Sequence, residues 1–120
     1  MTLASATYAS VNTVYARVVW ALGAKKVVSM AHKLGIKTEL SSYPSIALGA
    51  QNVTPLEMAS AYATLANNGV YNEPTFVTSI TDPDGKTLYE YKKKSKRVIS
   101  KNVAYATTRI LQGVVSGGTG

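Results

Sequence analysis

Apolar residues along this chain recur mostly at helical spacing, and the stretch from Asn52 to Gly69 shows it most completely. Thr54 suits an N-cap, and Pro55 suits the first helical position, where its missing N–H costs nothing. Glu57, three residues after Thr54, completes a capping box. Leu56, Ala59, Tyr62 or Ala63, and Ala66 fall on one side, which is predicted to face a core. The alanines along it allow a second helix to approach closely. Gly69 is expected to take the left-handed backbone that ends the helix. This helix is predicted to be the packing centre of the fold, without chemistry of its own.

The rest of the pattern is built around it. A short helix is predicted from Leu3 to Ala9 behind a Thr2 cap. Ser10-Val11-Asn12 breaks it, because Ser and Asn side chains compete for backbone hydrogen bonds. Asn12 is expected to cap a second helix, Thr13 to Leu22, with Val14, Tyr15, Val18, Val19 and Leu22 on its apolar face. A third helix runs from Ala24 or Lys25 to Leu34, turning Val27, Met30, Ala31 and Leu34 inward, and Gly35 stops it. The connector from Ile36 to Asn52 is long enough to be packed and functional, not slack.

Beyond Gly69 the period changes to two. Thr75 to Thr81 and Lys86 to Tyr91 alternate around Asp82-Pro83-Asp84-Gly85, a strong turn signal. Two strands alone are marginally stable, so this hairpin must rest on helices or on another sheet. A last helix, Lys101 to Val115, is capped by Ser100 and buries Val103, Thr107, Ile110, Leu111 and Val114. The predicted class is mainly α with one antiparallel β-hairpin. Residues 1–69 form a helical region, 70–99 the hairpin and a basic connector, and 100–120 a helix with a Gly-rich end.

Composition narrows the function. A chain of 120 residues with 46% hydrophobic content and a mean hydropathy of +0.02 is globular, and no apolar run approaches a membrane span. Without Cys there is neither a disulfide framework nor a thiolate metal site. With His32 as the only His, neither a zinc site nor a Ser-His-Asp triad is expected, and no cofactor is implied. The net charge of +7 is concentrated: five of the thirteen basic residues lie between Lys92 and Arg97. That run reads as a solvated connector or as a site for an anionic polymer. No aromatic platform for nucleic acid accompanies it.

Candidate motifs are few. Gly85-Lys86-Thr87 imitates the end of a phosphate-binding loop, but Ile80 stands where its first Gly belongs. Gly117-Gly118-Thr119-Gly120 could cradle an anion, yet reads more simply as a flexible connection. Glu57 belongs to its cap and Asp82 and Asp84 to their turn, so no acid–base pair is left for glycoside chemistry. What remains is Ser10-Val11-Asn12, placed at a helix–helix junction where polar side chains can project into a cleft.

The company this triplet keeps is informative. Ser-Val-Asn-Thr-Val-Tyr, Lys-Leu-Gly-Ile, Pro-Ser-Ile-Ala-Leu-Gly-Ala, the block from Val53 to Gly69 and Tyr-Asn-Glu-Pro follow one another in order. The succession resembles the transpeptidase domain of class A, bifunctional penicillin-binding proteins over essentially the whole chain. The resemblance implies the helical part of an α+β transpeptidase domain whose other part is a five-stranded sheet. It implies a membrane-anchored parent facing outward, which cross-links peptidoglycan stem peptides by serine acyl transfer, is trapped by β-lactams and also carries a glycosyltransferase. Ser10 would hydrogen-bond the nucleophile's lysine and relay a proton, and Asn12 would present its amide to the substrate backbone. No serine here has Lys three residues on, and Lys86-Thr87 is followed by Leu88, so two of the family's three motifs are absent from the chain. The expectation is an internal segment, inactive by itself and prone to self-association. The rival reading is a small basic module for an anionic polymer.

Overall fold

The computed structural model describes residues 1–120. Five α-helices and two small antiparallel ribbons make up the fold. Helices α1 (Leu3–Tyr8), α2 (Asn12–Leu22) and α3 (Ala24–Leu34) come first, followed by a 3₁₀ turn (Pro44–Leu48) and α4 (Pro55–Ala66). Strands β1 (Val70–Asn72), β2 (Ser79–Thr81), β3 (Thr87–Glu90) and β4 (Ser95–Arg97) precede α5 (Lys101–Gly117).

Helix α4 is written as expected at its start. The Thr54 hydroxyl accepts from the Glu57 amide at 3.3 Å, and Glu57 Oε2 accepts from the Thr54 amide at 2.9 Å. It packs against α3, β1 and α5, but not with the face its apolar residues suggest. Leu56 and Tyr62 are about half exposed, and Ala59, Ala63 and Ala66 are exposed. The covered stripe is Glu57, Ser60, Ala61, Thr64 and Leu65, with Ser60 and Thr64 buried. Helical spacing permits both stripes. The chain's own neighbours sit on the polar one, where the Thr64 hydroxyl lies 2.9 Å from the Ser60 carbonyl and 3.2 Å from that of Leu34.

Three helices end in the same hydrogen-bonded turn. The amides of Ser10 and Val11 donate to the carbonyls of Thr7 and Ala6, those of Gly35 and Ile36 to His32 and Ala31, and those of Asn68 and Gly69 to Leu65 and Thr64. This is a Schellman pattern, whose fifth residue is left-handed. At α4 that residue is Asn68 (φ 54), one position before the expected Gly69. At α1 it is Ser10 (φ 52), so the break after α1 is a backbone turn and not side-chain competition. Asn12 is accordingly the first residue of α2, and the cap position falls to Val11 without a side-chain bond.

The β region also differs from expectation. β2 and β3 form the predicted hairpin, and Asp82 Oδ1 closes its turn by accepting from the amides of Asp84 (3.0 Å) and Lys86 (2.8 Å). Part of the basic connector is a strand: β4 pairs with β1 in the register Val70↔Arg97, Tyr71↔Lys96, Asn72↔Ser95. Along α5, Val103 is exposed and Ala104 takes the buried position. Met30 on α3 and Leu22 on α2 are likewise more exposed than predicted. The 36–52 connector is tied by Gln51, which accepts from the Ser41 amide and donates to the Ser41 carbonyl.

The fold is open. Its radius of gyration is 17.7 Å, whereas a compact chain of this length has about 14 Å. Its accessible surface is 8608 Å², against about 6,200 Å² for a globular monomer of the same mass.

Candidate active site

The candidate site is the turn joining α1 to α2. Helix α1 has only six residues and is too short to persist alone. Two devices hold it. Thr2 and Ser5 cap each other at the N-terminus, with amide-to-hydroxyl distances of 3.0 and 3.1 Å. The remaining support is packing against α5, where Ala6 and Ala104 are both completely buried. Gly113 leaves room there for the far end of the Tyr8 ring, which a Cβ would displace.

A hydrogen bond then crosses the turn. The Thr7 hydroxyl donates to the Leu3 carbonyl at 2.8 Å, so the Tyr15 hydroxyl donates to Thr7 Oγ1. α1 and α2 are thus fastened to each other on either side of Ser10-Val11-Asn12. Val11 is half-buried, while Ser10 and Asn12 are exposed and neither side chain has a hydrogen-bond partner within the protein. A left-handed conformation at a non-Gly residue such as Ser10 costs about 1–2 kcal/mol, and the braced helices hold it.

The Gly-rich end lies beside this turn. The amides of Gly118 and Gly120 both donate to the Val114 carbonyl, at 3.0 and 3.1 Å. Gly118 comes so close to the Tyr8 carbonyl that a Cβ would stand 2.6 Å from it. The expected flexible connection is instead folded back onto the end of α5, two residues from Ser10 in the adjoining element.

Nothing next to Ser10 activates it. No base is hydrogen-bonded to its hydroxyl, and none of the five main cavities is lined by Ser10 or Asn12. The imidazole of His32 is turned to its own helix end, with Nδ1 2.7 Å from the Ile36 carbonyl. Glu57 is taken up by its neighbours: besides Thr54 it accepts from the amides of Lys37 (2.7 Å) and Thr38 (2.6 Å) and from the Thr38 hydroxyl. The Thr54 amide and the Thr38 hydroxyl, both donating to the carboxylate, lower its pKa to about 2. The arrangement therefore offers a hydroxyl and an amide on a rigid support, both facing outward, with no nucleophile–base pair.

The model of the penicillin-binding protein transpeptidase domain matches residues 1–120. The chain belongs to this family. It is 42% identical over 93 residues to penicillin-binding protein 2D of Bacillus subtilis, covering 78% of the chain and 14% of that protein. It is 38% identical over 117 residues to penicillin-binding protein 1A of Clostridium botulinum, covering 92% of the chain and again 14% of the relative. Among solved structures, penicillin-binding protein 1A of Haemophilus influenzae matches all of the chain and 22% of its own length, with a TM-score of 0.88 at 26% identity. The D,D-transpeptidase domain of a peptidoglycan glycosyltransferase from Eggerthella lenta matches all of the chain and 38% of its own length (TM-score 0.80, 26% identity). Penicillin-binding protein A of Mycobacterium tuberculosis, solved as its imipenem acyl-enzyme complex, matches 95% of the chain and 31% of its own length (TM-score 0.83, 25% identity). The chain thus spans about one seventh of the length of these curated relatives.

Proposed function

We propose that this chain supplies the Ser-x-Asn wall of the catalytic cleft in a class A peptidoglycan D,D-transpeptidase. The observation that supports it is the turn itself: Ser10 and Asn12 carry free polar groups outward from a junction braced by Tyr15, Thr7 and the α1–α5 packing. In this reading a serine of a Ser-x-x-Lys motif attacks the penultimate D-alanine carbonyl of a stem peptide. The tetrahedral adduct expels the terminal D-alanine, and an amine of a second stem takes the acyl group. Ser10 bonds the lysine of that motif and passes a proton toward the leaving amine, and Asn12 donates its amide N–H to the backbone carbonyl of the donor peptide. The imipenem adduct of the mycobacterial relative supports extending β-lactam acylation to the assembled domain. The same reading gives the whole protein a membrane anchor, an outward-facing domain and a glycosyltransferase. No helix of this chain is long and apolar enough to cross a membrane.

The groups of such a site act as a unit, so the present chain should supply no partial reaction. Labelled penicillin should leave no adduct on it after denaturation. Residues 1–120 exchanged into the B. subtilis relative, which would contribute the other two motifs, should be acylated. There Ser10→Ala should slow acylation by about 10²-fold or more. Acylation of the chimera at an unchanged rate by Ser10→Ala would remove the proposal.

The edge of α4 beside α5 fits the same reading. Tyr62, Leu65 and Ala66 line an apolar groove of about 320 Å³ with Leu111 and Val115 of α5. In the assembled domain the rest of the transpeptidase fold covers such surface. The excess area of roughly 2,400 Å² exceeds the ~800 Å² per partner of a standard interface, so the chain alone is expected to self-associate. A monomer by light scattering at millimolar concentration would contradict this.

A further inference from the structure

The largest of the main cavities lies away from the Ser10 turn. It has a volume of about 510 Å³ and sits between the end of α3 and the β1–β4 ribbon, with Lys33, Lys37, Tyr71, Lys96 and Arg97 on its walls. No carboxylate lines it. The protein's two salt bridges are both to Glu73, from Lys37 (3.3 Å) and Lys94 (3.7 Å), so Lys33, Lys96 and Arg97 have no acidic partner. Arg97 is fixed as part of the wall, since its Nη1 donates to the Asn68 carbonyl at 2.7 Å and the Ile99 carbonyl at 3.3 Å. Its Nε and Nη2 remain free to bind. Tyr71 also lines the cavity, with its hydroxyl buried and without a hydrogen-bond partner.

From these groups we infer that the cavity is a binding site for a soluble, multiply charged phosphorylated ligand. Basic residues in the last turn of a helix also complement its dipole, which accounts for His32 and Lys33. It does not account for Lys96 and Arg97, which the pairing of β4 with β1 delivers to the same cavity from more than 60 residues further along the chain. A cavity of this size spans about 10 Å, a distance over which charges still act on one another at 0.1 M salt. Three unpaired cations therefore favour an occupant with several negative charges. One phosphate would leave most of the volume empty, whereas a phosphate chain or a phosphorylated small molecule reaches Lys33 and Lys96 together. The guanidinium supplies a planar pair of donors for phosphoryl oxygens. Of the lining residues only Tyr71 and Val98 are apolar, too few to seat acyl chains, which sets a soluble ligand above a lipid headgroup. The site uses neither Ser10 nor Asn12 and stands independently of the transpeptidase reading.

Tripolyphosphate is the probe. Calorimetric titration of the chimera that carries residues 1–120 in the B. subtilis relative should show one site whose affinity falls as salt rises from about 0.05 to 0.2 M. Lys33→Gln/Lys96→Gln should weaken binding about tenfold or more, because two charge-assisted contacts are lost. Lys25→Gln/Lys86→Gln removes the same charge from outside the cavity and should stay within about twofold. Equal losses from both double variants would reduce the effect to net charge and overturn the inference. So would an absence of saturable binding, or binding to phosphatidylglycerol vesicles that needs Lys33 and Lys96 while tripolyphosphate is ignored.

Discussion

The two helix junctions of this molecule treat polar groups in opposite ways. At the start of α4, Glu57 accepts from Thr54, Lys37 and Thr38 and ties the cap of its own helix to the segment leaving α3. At the start of α2, Ser10 and Asn12 bond to nothing within the protein, although their backbone is held as firmly by the Schellman turn and the Tyr15–Thr7 bridge. A polar side chain placed to maintain the fold is satisfied internally; one left free on a rigid turn is available to an external partner. Near Glu57 a substitution should cost stability, and at Ser10 it should cost function alone.

The strongest expected effect is at the contact that backs the Glu57 junction. Gly35 has φ +118, and a Cβ there would stand 2.8 Å from both Ser60 Oγ and the Tyr71 ring. Gly35→Ala combines a positive-φ penalty with overpacking and should destabilise by about 2–4 kcal/mol in urea unfolding followed by circular dichroism. A loss below about 1 kcal/mol would mean that α3, α4 and β1 are not locked together there.

Acid tests the carboxylate next. The pKa of Glu57 is lowered from 4.5 to about 2, first by the Thr54 amide and then by the Thr38 hydroxyl. A depressed folded-state pKa means that its stabilisation is complete above about 4.5, where the unfolded group is also ionised. It is lost as pH falls from about 4.5 toward 2. The melting temperature should therefore drop over that window, and Glu57→Gln should flatten the drop while lowering stability at pH 7. Parallel curves for the two proteins would show that the carboxylate contributes nothing specific. A smaller effect belongs to Thr54→Ala, about 1 kcal/mol for a lost cap.

What could be read from the sequence follows the range of the interaction. The Thr54–Glu57 box, the Ser100 cap, the Gly35 stop and the Asp82 turn are complete within a few residues, and each is found where the pattern puts it. The β1–β4 ribbon is invisible because it joins two three-residue segments, one of them Ser95-Lys96-Arg97, across more than 20 positions. The packed face of α4 departs from the apolar pattern for a related reason. Leu56, Ala59, Tyr62 and Ala66 are the more apolar stripe, but the partners within this chain lie on the side of Ser60 and Thr64. At the candidate site the residue types and their neighbours along the chain single out Ser10 and Asn12. The left-handed backbone of Ser10 has no local signal, because Gly or Asn is the usual occupant of that position.

That conformation gives the smallest and most discriminating effect. Relief of left-handed strain in Ser10→Gly should recover about 1–2 kcal/mol, against about 0.4–1 kcal/mol lost to the freer unfolded chain. The net expectation is a gain between about 0 and about 1.6 kcal/mol in urea unfolding. Asn68→Gly, in the matching turn after α4, should gain less because Asn tolerates that region better than Ser. In the chimera with the B. subtilis relative, Ser10→Gly should nonetheless lose acylation to the same degree as Ser10→Ala. A variant that is more stable and less reactive shows a residue retained against the interest of the fold, as functional positions often are. If Ser10→Gly instead destabilised the chain by more than about 1 kcal/mol, the Ser10 hydroxyl would be maintaining the turn, and the contrast between the two junctions would fail.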